Sequence, residues 1–102
     1  MHVEVRLEWY ARTAEEKMRD HYQVIKKGRQ TLFPRTAINA SSVETQATEL
    51  AARLREREIK SASIIHGPSI SKTAREKFGN SLLVALQQEG ILVNGVHCEG
   101  HS

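Results

Sequence analysis

From residue 42 onward the chain alternates between two periodicities. Val43, Ala47, Leu50 and Leu54 recur at helical spacing, and Ala62 to Ile65 form a short apolar run. Ala74, Phe78, Leu82, Ala85 and Leu86 return to helical spacing, and Ile91 to Val96 read as a strand. Helix, strand, helix, strand in succession favours parallel strands joined by right-handed crossovers. The expected fold is therefore α/β. It is a small single-domain sheet of three or four strands, mostly parallel in its C-terminal half, packed by three or four helices. One domain is expected over residues 1–102, with a short flexible tail from about residue 99, because a chain of 102 residues has room for one modest core.

Individual elements follow from local signals. Val3, Val5, Leu7 and Trp9 alternate with Glu4, Arg6 and Glu8, which predicts a strand with one buried and one wet face. Central strands of parallel sheets are more uniformly apolar, so this strand is placed at or near an edge, with antiparallel pairing allowed. Thr13-Ala-Glu-Glu16 has the pattern of a capping box, and apolar residues then recur up to Ile25 before Gly28. A helix is expected over 13–27. Pro34 bars a central strand at 29–40, leaving a short strand around 30–33 or 36–39, or a loop pinned by Leu32 and Phe33. Ser41-Ser-Val-Glu44 is a second capping box and opens a helix expected over 42–58. Gly79-Asn80 interrupts the pattern between Lys72 and Glu89, so one helix or two shorter ones are both allowed. Asn94-Gly95 allows a tight hairpin in place of a continuous last strand.

Three constellations carry candidate chemistry. The first is His66-Gly-Pro-Ser69-Ile-Ser71-Lys72-Thr73, a strand–loop–helix junction. Such junctions expose backbone N–H groups at the positive end of a helix, so His66, Ser69, Ser71, Lys72 and Thr73 are candidate anion-binding residues. The loop lacks the second glycine and one residue of a nucleotide-binding P-loop. The plainer alternative is that Ser69 or Ser71 caps the following helix while Lys72 is solvated.

The second constellation is basic. The net charge is +3, but from residue 17 to 35 Lys17, Arg19, Lys26, Lys27, Arg29 and Arg35 face Asp20 alone, with Tyr22 and Phe33 interspersed. Cations among aromatics can neutralise phosphates and stack bases, or meet an acidic protein surface. A solvated helix face is the alternative.

The third is His66, His97, Cys98 and His101. If the strands ending at 65 and 96 are parallel neighbours, these residues share one sheet end, and imidazole and thiolate are zinc ligands. The spacing matches no zinc motif, and residues 97 and 98 point to opposite faces while the strand persists. As catalysis, Cys98 with His66 or His97 could form a nucleophile–base pair. Cys98 is the only cysteine, so no intrachain disulfide forms. No pattern calls for a cofactor, and none is expected.

The reading that follows is a small, non-enzymatic binding or accessory protein whose partner is nucleic acid or an acidic protein, met through the basic 17–35 region. Enzymatic activity is left open. The alternative is a phosphate- or nucleotide-binding protein, or a small enzyme, using the 66–73 junction. No apolar run reaches the roughly 20 residues of a membrane span, so no membrane partner and a cytosolic location are expected. A homodimer is expected through the edge of the first strand, with Trp9 and Tyr10 at its end as interface aromatics.

Overall fold

A computed structural model describes residues 1–99. Its elements run β1 (His2–Tyr10), β2 (Arg19–Lys26), β3 (Gln30–Ala37), α1 (Val43–Glu56), β4 (Ser61–His66), a π-helical turn (Ala74–Phe78), α2 (Gly79–Gln88) and β5 (Leu92–Cys98). The five strands form one mixed sheet in the order β3-β2-β1-β4-β5. The α/β class holds, but with five strands and two α-helices in place of three or four of each.

β1, β4 and β5 are parallel, while β2 pairs antiparallel with β1 and with β3. Successive parallel strands therefore step in one direction across the sheet. Right-handed crossovers taken in one direction leave their helices on the same face. α1 and α2 accordingly share one core with Val3, Val5 and Leu7 of β1, Val24 of β2, and Ala62 and Ile64 of β4. Among the described residues the other face carries no helix.

Two further expectations are corrected. β1 is central rather than an edge, because β2 covers one side and β4 the other. It still alternates, because its second face has no helix over it and stays polar. The helix expected over 13–27 is absent. Residues 19–26 are β2, paired with β1 over eight positions from Val3–Lys26 to Tyr10–Arg19. An isolated helix of that length is marginal in water, and a full antiparallel ladder outweighs its local propensity. The capping box becomes a turn closed by Glu16 N–H to Thr13 C=O, 3.3 Å. The Glu16 carboxylate accepts from the Arg12 N–H, 2.9 Å, which holds its pKa below the usual carboxylate value.

The remaining alternatives resolve. Residues 30–37 are a strand, and Pro34 lies on the outermost one, where a missing N–H costs no ladder bond. Arg53 lies over the Phe33 ring, 3.9 Å from its centroid, which ties α1 to that edge. Helix α1 falls inside the expected 42–58. The interruption at Gly79 is a π-helical turn running directly into α2. β5 is a strand, and Asn94 is accommodated by a register shift between Ala62 and Ser63. Among the described residues no helix is long and apolar enough to cross a membrane.

Candidate functional site

The helix-free face is built by alternation. Val3, Val5 and Leu7 of β1 enter the core, so His2, Glu4, Arg6 and Glu8 project to the other side. Across the ladder they meet Ile25, Gln23 and His21 of β2, and Ser61, Ser63 and Ile65 of β4. His2 bridges to β4, its Nδ1 2.7 Å from Ser61 Oγ and its Nε2 3.3 Å from Ser63 Oγ.

A chain of ion pairs crosses this face. Arg6 Nε lies 3.3 Å from Glu8 Oε1, and Arg35 Nε lies 3.1 Å from Glu8 Oε2. The Arg35 guanidinium also covers the Tyr10 ring at 4.2 Å. On its other side Arg6 meets Glu99, just past β5, through both terminal nitrogens, Nη1 to Oε2 being 3.1 Å. The hydrogen bond from Arg6 lowers the Glu99 pKa, and the same bond raises that of Arg6. A guanidinium and a carboxylate meeting side by side in this way form the strong, planar version of the contact.

These residues floor an open groove of about 990 Å³. Lys26 at the end of β2, and Lys27 and Arg29 of the β2–β3 turn, stand along it, and Trp9, 40% exposed, and the Gly67–Ser69 loop also line it. Its lining holds five cations (Arg6, Lys26, Lys27, Arg29, Arg35) against three carboxylates (Glu4, Glu8, Glu99). Lys26, Lys27 and Arg29 have no carboxylate in ion-pair range among the described residues. Arg29 adopts a left-handed φ of 65° beside Gly28 at 85°, in the three-residue turn between the paired Lys26 and Gln30.

Four of the six expected basic residues therefore come together on the groove: Lys26, Lys27, Arg29 and Arg35. Lys17 and Arg19 do not line it. They lie at the other end of β2, about 23 Å away by strand rise. Sequence reading passed over Arg6 and Glu99 as members of the site. The signal for Arg6 was present in the charged alternate positions of β1; nothing in sequence links it to Glu99.

The 66–73 junction is arranged differently. Ser71 caps the helical turns that begin at Lys72: its Oγ accepts from the Ala74 N–H, 3.1 Å. Its own N–H donates to Asp20 Oδ1, 3.1 Å, and its hydroxyl donates to Asp20 Oδ2. The anion at this helix start is thus the Asp20 carboxylate. Ser69 turns to the groove, while Lys72 and Thr73 are exposed in the first helical turn.

His66 and Cys98 are register partners at the ends of β4 and β5, with Cys98 Sγ 3.8 Å from His66 Nδ1. His66 is buried on the helix side, and its Nε2 has no hydrogen-bond partner among the described residues. Burial, and next the nearby positive charge of Arg75, lower its pKa below the ordinary imidazole value. His97 pairs with Ile65 and faces the opposite side of the sheet. His101 lies outside the described residues. Among those described, no three His, Cys, Asp or Glu side chains converge as a metal site.

No protein-family model matches the sequence, and no curated protein matches it. Among solved structures, the crystal structure of RNase H1 from the halophilic archaeon Halobacterium salinarum NRC-1 is similar over 100% of this chain and 86% of that one, with a TM-score of 0.47 and 7% sequence identity. No residue role follows from that similarity.

Proposed function

We propose that this protein binds nucleic acid along the helix-free face of its sheet. The observation that carries this reading is the groove itself, where Lys26, Lys27 and Arg29 stand without ion-pair partners among the described residues, beside Arg6 and Arg35. Cations track a phosphate backbone. His2 and Gln23 supply hydrogen-bonding groups between them. The junction at 66–73 supports a separate phosphate or nucleotide site less well, because Ser71 already donates twice to Asp20.

Fluorescence anisotropy with mixed-sequence DNA and RNA oligonucleotides tests the reading. Affinity should fall steeply with salt, and Lys27→Ala combined with Arg29→Ala should weaken binding and reduce the salt slope by about 2. Absence of salt-sensitive binding at low ionic strength rules the reading out. Salt-sensitive binding to polyaspartate but not to oligonucleotides would point instead to an acidic protein partner.

The homodimer is proposed again, but at β5. That edge strand has no charged side chain from Leu92 to Cys98, and Leu92 and Val96 are 67% and 49% exposed. Edges without charge or proline are open to pairing, and an antiparallel β5–β5 contact closes on a two-fold axis. The opposite edge carries Pro34 and Arg35. Sedimentation equilibrium across micromolar concentrations decides it: a single species at monomer mass sinks the dimer.

A further inference from the structure

We propose that Arg6 is the phosphate seat of the groove, and that in the free protein the Glu99 carboxylate occupies that seat in place of the ligand. This rests on the nucleic-acid reading of the same groove and assigns its central residue.

Arg6 stands on the middle strand of the sheet and lines the groove, with Glu8 on one side and Glu99 on the other. The two terminal nitrogens of its guanidinium each meet one Glu99 oxygen. A phosphate presents two oxygens to the same fork, so the ligand and Glu99 compete for the same donors.

Glu8 and Glu99 differ in how they are held. Glu8 is shared between Arg6 and Arg35, and its side chain is mostly buried. Glu99 has Arg6 as its one ion-pair partner among the described residues, and its side chain is 46% exposed. It follows the last strand and is tied by its backbone N–H to the His66 carbonyl, 2.8 Å. Its side chain can therefore leave Arg6 without disturbing the sheet. Displacement of Glu99 by phosphate exchanges one oxyanion for another on Arg6, so the guanidinium is never left bare. Exposed ion pairs contribute little to stability, which makes the exchange inexpensive.

The experiment measures oligonucleotide affinity at low salt for four proteins and one control. Glu99→Gln removes the competitor and should tighten binding about three- to fivefold, the range a partly exposed ion pair spans. Glu4→Gln is the control: it removes the same charge from the same groove, at a residue with no ion-pair partner among the described residues, and should change affinity less than about twofold. Arg6→Ala should weaken binding. In the Arg6→Ala background Glu99→Gln should have no further effect, which a general change in charge would not reproduce. Equal gains from Glu99→Gln and Glu4→Gln, or a Glu99→Gln gain that persists without Arg6, overturns the proposal while leaving the groove as the binding surface. Failure of the wild-type protein and every variant to bind overturns the nucleic-acid reading, and this proposal with it.

Discussion

The Asp20 carboxylate, on β2, accepts from both the backbone N–H and the hydroxyl of Ser71, fifty-one positions further along the chain. Ser71 in turn accepts from Ala74 N–H, so a strand far off in sequence completes the cap of a helix. The negative charge sits where the helix dipole favours it.

Asp20→Ala should therefore destabilise the fold by about 1–3 kcal/mol, since it leaves two part-buried donors without an acceptor. Asp20→Asn keeps an acceptor oxygen and should cost less. Urea unfolding of both variants checks the order. An Asp20→Ala protein as stable as the wild type would show that the pair contributes nothing.

His66 makes stability depend on pH. Its folded pKa is lowered by burial and then by Arg75, whereas the unfolded chain titrates near the ordinary value of about 6.5. Above that value both states hold a neutral imidazole and no difference arises. Below it the unfolded state takes up a proton that the folded state resists. Stability should fall as pH drops from about 6.5 to the folded pKa, then level off as far as this group is concerned. Cys98, its neighbour through Nδ1, is retained in the test. His66→Gln should flatten the slope in that window when unfolding is followed from pH 7.5 to 5. An unchanged slope would assign the dependence to other groups.

Two glycines should respond in opposite directions to alanine. A Cβ on Gly67 would sit 2.8 Å from the Leu7 carbonyl oxygen, which is itself bonded to the Gly67 N–H at 2.8 Å. The strand-end contact would have to open, so Gly67→Ala should lower the melting temperature. A Cβ on Gly79 meets nothing nearer than His66 Nε2 at 3.5 Å, an ordinary contact. Its backbone is helical, with φ at −58°. Gly79→Ala should therefore stabilise by up to about 1 kcal/mol. Thermal unfolding compares the pair directly, and destabilisation by Gly79→Ala would contradict the packing described for His66.

Elements whose signals are local were legible in the sequence. Helix α1 carries its apolar stripe within fourteen residues, and β4 is a short apolar run ended by His-Gly-Pro. The parallel order of the C-terminal half followed from their alternation. The N-terminal half was not legible in this way. Met18, Tyr22 and Ile25 fit a helical stripe, yet in β2 Tyr22 and Val24 enter the core while Ile25 belongs to the other face. Both patterns satisfy the same residues over so short a stretch, and only pairing with β1 selects between them.

The basic character of residues 17–35 is a property of the sequence alone, as is the polar alternation of β1. Which cations act together is not. The strand β2 separates Lys17 and Arg19 from Lys26, Lys27 and Arg29 by its full length, and its antiparallel neighbour returns Arg35 to the groove. The pairs that define the site, Arg6 with Glu99 and Arg35 with Glu8, join residues 93 and 27 positions apart. Spacing along a chain encodes contacts within a helix turn or a strand. Contacts between strands depend on sheet order, and that order is set by burying β1 between β2 and β4 beneath the two helices.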